Sequence, residues 1–191
     1  MEFESTYQLT VAVSMFSVLN SPTAIRSVDE RLFEGLLVEC LNELPALEEA
    51  LELPPSRRST SLYSLGGRGF PDIVRRPGDE YEVGIEVKLR SNHNLQGGYT
   101  ENPRWQLDAY ADRRQSGTKL FIVAPSSKRA SLEREFEGYG KGRNPLLESI
   151  KEWRFIHTET VRDSLESLLG DRCSDEVDGA KLVTRLARLK I

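Results

Sequence analysis

Phe70-Pro71-Asp72-Ile73-Val74, a turn through Pro77-Gly78-Asp79, and Tyr81-Glu82-Val83-Gly84-Ile85-Glu86-Val87-Lys88-Leu89 lie near the middle of a 191-residue chain. Short apolar runs bounded by turn residues read as strands, and the Pro-Gly-Asp turn predicts that these two pair as a hairpin. In 81–89 the odd positions Tyr81, Val83, Ile85, Val87 and Leu89 are all apolar, whereas the even positions are Glu82, Gly84, Glu86 and Lys88. Strand side chains alternate between faces, so Glu86 and Lys88 share one face, about two residue rises apart. Two readings of that face are open: the solvated side of an antiparallel strand, or a chemical centre. Asp72, at the start of the preceding strand and across the hairpin from Glu86, favours the second, because two carboxylates then converge.

Working outward, Pro54-Pro55 opens a polar, glycine-rich segment through Ser64-Leu65-Gly66-Gly67-Arg68-Gly69, read as a sharply bending loop that delivers Phe70. Before it, Ser27-Val28-Asp29-Glu30 has capping-box spacing, which predicts a helix with Ser27 as its cap and Leu32, Phe33, Leu36, Leu37, Cys40, Leu41 and Leu44 on its apolar face. Pro45 interrupts or restarts that helix. The run 10–18 is a strand or a buried helix, since short apolar runs do not discriminate. After the hairpin, Asn102-Pro103 and Gly117 bracket a helix over 103–116. A strand is predicted over 119–124, a helix over 126–137, a strand over 153–157, a helix over 158–169 stopped by Gly170, and a closing helix around Leu182 to Leu189. Strands interleaved with helices predict an α/β fold, a mixed β-sheet flanked by helices. The length suits one domain over 1–191.

The composition, 38% hydrophobic and 29% charged, is globular. The apolar stretch near the start is broken by Ser14 and Ser17 and has no basic leader, so the expectation is a soluble, cytoplasmic protein with no membrane association. Cys40 and Cys173 lack thiolate-site spacing, and His93 and His157 lie far apart in sequence, so any metal should be held by oxygen. The net charge of −4 is unevenly spread: residues 1–54 carry 2 basic and 10 acidic side chains, whereas 55–129 carry 13 basic and 8 acidic. A basic centre permits nucleic-acid binding without demonstrating it.

Convergent carboxylates are what Mg²⁺ or Mn²⁺ requires, since hard cations prefer oxygen donors. Phosphodiester hydrolysis needs a water made more acidic and positive charge where the transition state becomes more negative. Asp72, Glu86 and Lys88 supply those parts. Phe70-Pro71-Asp72, followed after thirteen residues by Glu86-Val87-Lys88, resembles the defining motif of the PD-(D/E)XK nuclease superfamily. The resemblance implies a restriction-endonuclease-like fold, with Asp72 and Glu86 binding Mg²⁺ helped by the Val87 carbonyl and Lys88 positioning or activating the attacking water. Mn²⁺ should substitute. Gln106 and Tyr110, four apart on the predicted 103–116 helix and so on one face, are similar to the Gln-x-x-x-Tyr motif of the RecB-like branch, where such a pair contacts the substrate strand.

Many members of that superfamily also place an acidic residue on a preceding helix. Glu34 is the choice here, with Glu30 as an alternative already occupied by capping and Asp29 and Glu39 behind it. RecB-like members often carry a histidine in that role, and no histidine precedes His93 in this chain. Arg68, Arg75, Arg76, Arg90, Arg104, Arg113 and Arg114 are available for phosphate contacts, Arg68 and Arg90 being the best placed, and Tyr99 and Trp105 for stacking. The expectation is a metal-dependent nuclease hydrolysing DNA to 5′-phosphate products in repair, restriction or defence. Its partners would be DNA and a second copy of the chain, or a separate helicase or defence-system subunit. Two alternatives stand beside it: a catalytically silent nuclease-fold subunit binding nucleic acid or a protein partner, and a protein-interaction module using the acidic amino-terminal region.

Overall fold

The run at 10–18, which the sequence leaves open, is helical: α1 spans Thr6–Asn20. Its polar residues show why a helix suits it. Thr10 Oγ1 donates to the Thr6 carbonyl at 2.8 Å and Ser14 Oγ to the Thr10 carbonyl at 2.7 Å. Only a helix brings a carbonyl four residues back within reach of the buried Ser14 hydroxyl, and the exposed Thr10 makes the same bond. The computed structural model describes residues 3–21, 24–25, 28–54, 61–64, 71–75, 82–89, 119–132 and 153–170. They fall into two compact units, one made of Met1–Pro55 with His157–Ile191, the other of Ser56–Ile156.

In the first unit α2 spans Glu30–Glu43, α3 spans Pro45–Ala50 and α4 spans Thr158–Leu169. The cap of α2 is Asp29, whose side chain accepts the Arg31 N–H at 2.9 Å, so the helix starts later than the Ser27 box predicted. Asp29 is as good a cap as serine, and Glu30 then adds a favourable charge in the first turn. The buried face of α2 comprises Phe33, Glu34, Leu37, Val38, Cys40 and Leu41, while Leu32 and Leu36 are half-buried. Pro45 restarts the chain as α3, where its missing N–H costs nothing. α1 packs on α2 and α4, and α3 on the same two helices. Tyr7 Oη to Glu39 Oε2 at 2.7 Å and Gln8 Nε2 to the Glu43 carbonyl at 2.9 Å tie α1 to α2. Burial pushes the Cys40 thiol up out of the ordinary range, so it is an inert core residue. Gly170 closes α4 with φ of 56°, a conformation that favours glycine.

The second unit carries a five-stranded sheet ordered β1-β2-β3-β4-β5. β1 is Leu62–Ser64, β2 Ile73–Arg75, β3 Val83–Val87, β4 Lys119–Ala124 and β5 Trp153–His157. β1 is a strand inside the segment read from sequence as loop. It pairs antiparallel with β2, β2 pairs antiparallel with β3, and β3 pairs parallel with β4. The chain is therefore α/β with a mixed sheet, and the predicted hairpin of β2 and β3 is present. All five residues of β3 are buried, as a strand covered on both faces requires. Gly84 pairs with Leu120 and Glu86 with Ile122, so the even face of β3 continues into a cluster of Ile122, Ala124 and Leu132 with Phe155 against it. The reading of that face as a solvated surface is thereby excluded. Beyond β4 come a 3₁₀ turn at Ser126–Lys128 and a helical turn over 129–132. The helix over 103–116, the rest of 126–137 and the helix around 182–189 lie outside the described residues. No helix among the described residues is long and apolar enough to cross a membrane.

Candidate active site

The last pair of the hairpin ladder is Ile73 with Ile85. One residue beyond it stand Asp72 on one chain segment and Glu86 on the other, so both carboxylates project from the same end of the ladder, where cross-strand neighbours lie about 5 Å apart at Cβ. Lys88 follows Glu86 on its face. The Lys88 N–H donates to the Val123 carbonyl at 2.9 Å, which keeps β3 extended alongside β4 through the catalytic candidate.

Asp72 is half-buried and its Oδ2 accepts the Val87 N–H at 2.8 Å. Alternation along β3 explains this bond. Lys88 directs its N–H to β4, so Val87 directs its own N–H and C=O to the β2 side, where the ladder has just ended and the Asp72 carboxylate takes the backbone's place. One oxygen of Asp72 is thus committed to the backbone. Its other oxygen and the Val87 carbonyl lie at the same strand end.

Glu86 is only 7% exposed, and its Oε1 is ion-paired with Lys88 Nζ. The register sets Asp72 opposite Glu86 at this strand end, and like charges placed across a strand pair repel each other. Such a pair is stabilised by a further cation. Oxygen donors from Asp72, Glu86 and the Val87 carbonyl form a set that fits Mg²⁺ or Mn²⁺, which complete their octahedra with water. Among the described residues no three His, Cys, Asp or Glu side chains converge, so this donor set leans on a backbone carbonyl.

Of the residues singled out from sequence, Asp72, Glu86, Val87 and Lys88 are together in one unit. Glu34 lies on α2 in the other unit, where it is buried. Arg68, Arg90, Gln106 and Tyr110 lie outside the described residues, as do His93, Tyr99 and Trp105. Arg75 is a correction: at 1% exposure it is not available on the surface for phosphate. Its pairing with Val83 puts it on the odd face, away from Glu86. Sequence reasoning overlooked Gly84. A glycine inside a strand signals a close approach by another group, and here a Cβ at 84 would stand 2.7 Å from Pro71 Cγ. No protein-family model matches this chain, and no curated protein or solved structure is significantly similar to it.

Proposed function

We propose that the chain is a metal-dependent nuclease that hydrolyses DNA phosphodiester bonds, with its centre at the end of the β2–β3 hairpin. The observation that carries the reading is the combination of a buried Glu86 ion-paired with Lys88 and an Asp72 carboxylate anchored on the Val87 N–H beside it. Asp72, Glu86 and the Val87 carbonyl would hold the Mg²⁺ or Mn²⁺ ion. When bound, such an ion makes a water more acidic and offsets charge developing on the phosphate. Lys88 supplies a second positive charge at the strand end and orients the attacking water through its ammonium protons. Glu86 fixes that ammonium. The Val87 N–H fixes Asp72, so neither carboxylate has to be ordered when substrate arrives. Contacts to the substrate strand are assigned to Gln106, Tyr110, Arg68 and Arg90 through their sequence alone.

The test is incubation of circular and linear DNA, single- and double-stranded, with Mg²⁺, Mn²⁺ or EDTA, comparing wild type with Glu86→Ala. Cleavage that needs the metal and falls by roughly 10³-fold or more in the variant is the expected outcome. Undiminished cleavage by pure, folded Glu86→Ala protein would sink the assignment. Metal-independent DNA binding by an inactive wild type would instead identify a silent nuclease-fold subunit.

A further inference from the structure

We infer that Gly84 is a positioning residue for the Asp72 carboxylate, because the Pro71 ring occupies the space a side chain at 84 would fill. The inference rests on the reading of Asp72 as a metal ligand. The chain bends at Asp72, just before β2 begins, and Pro71, the residue before the bend, lies against Gly84 of β3. A Cβ at position 84 would stand 2.7 Å from Pro71 Cγ and 3.2 Å from Pro71 Cβ, and 2.7 Å from Leu120 Cδ2 on the other side. Contacts this short require something to move.

Leu120 Cδ2 is the end of a rotatable side chain and can yield. The Pro71 ring is tied to the backbone that carries Asp72, so displacing it displaces the carboxylate. Gly84 and Glu86 share one strand face, two residues apart. The proline seat therefore sits beside one carboxylate and is covalently joined to the other. With φ fixed by its ring, Pro71 also limits how the bend can open. The result is a carboxylate that reaches the Val87 N–H at 2.8 Å from a chain already leaving the ladder.

The experiment uses the full chain with Mn²⁺ alone as probe, in the variants Gly84→Ala, Pro71→Ala and the two combined. Mn²⁺ affinity is measured by titration and Val87 amide protection by hydrogen exchange, with the Ile85 amide as internal control. Gly84→Ala should weaken Mn²⁺ binding by roughly tenfold or more, the range for groups that orient metal ligands, and lower Val87 protection more than Ile85 protection. Adding Pro71→Ala leaves only the 3.2 Å Cβ approach on that side and should restore most of both. A general loss of packing would lower both amides alike and show no such rescue.

Should Gly84→Ala fail to fold, Pro71→Ala alone decides: a selective loss of Val87 protection supports the seat. Protection and Mn²⁺ affinity unchanged in both single variants overturn it. A wild type that takes up no Mn²⁺ overturns the metal reading, and the amide comparison still decides whether the seat holds Asp72.

Discussion

Lys88 and Glu86 stand two residues apart on one strand, yet their environment is not that of a surface pair. The side chains are 17% and 9% exposed, respectively. An ion pair in water contributes little, whereas one that is largely shielded becomes costly to break, because the remaining charge has lost its water and its partner together. Lys88→Met should lower the unfolding free energy by roughly 1–3 kcal/mol, less than for a fully dry pair because solvent still reaches both groups. Urea denaturation in EDTA measures this. A variant as stable as wild type would mean that the pair contributes only position. The loss should shrink when Mn²⁺ is added, since a cation beside Glu86 and Asp72 again offsets their repulsion. At this scale the residue types and their spacing were legible, but the burial of Glu86 was not. A carboxylate on the polar face of an amphipathic strand looks the same whether that face meets water or Ile122.

Among the elements, those bounded by strong local signals matched their sequence reading. β4 and β5 coincide with the predicted strands over 119–124 and 153–157, and α4 with the helix over 158–169. Periodicity, capping and a stop glycine are all contained within such segments. The start of α2 was misplaced because two caps compete within three residues and only the packed helix selects Asp29. Asp29→Ala should therefore destabilise the protein by about 1 kcal/mol, the usual cost of a lost N-cap, as measured by thermal or urea unfolding. An unchanged midpoint would show that Asp29 does not cap this helix in solution. β1 was missed for a different reason: three residues carry too little pattern, and Leu62–Ser64 is a strand because β2 offers it an edge.

For the whole molecule, the expected consequence of the proposed centre is a link between metal and stability. A ligand that binds the folded chain alone raises its stability by about 2.7 kcal/mol at a hundredfold excess over Kd. Mn²⁺ should raise the thermal midpoint of wild type and leave Asp72→Ala and Glu86→Ala where they are, which differential scanning fluorimetry reads directly. Equal shifts in all three proteins would place the ion elsewhere. The charge pattern frames the same question, since 13 of the 26 basic residues fall within 55–129, the segment that holds Asp72, Glu86 and Lys88.

The amino-acid sequence by itself determined the local pieces: the hairpin turn, the alternation that puts Glu86 and Lys88 on one face, the caps and stops of several helices, and the order in which the chemical residues arrive. These depend on neighbours a few positions away, which a sequence displays. Tertiary structure alone decided that 10–18 is a helix, that both faces of β3 are covered, that Arg75 is buried on the face opposite Glu86, and that Gly84 makes room for Pro71. Each of those turns on which distant segment packs against a residue, and burial is a property of that encounter rather than of the residue's own type or period.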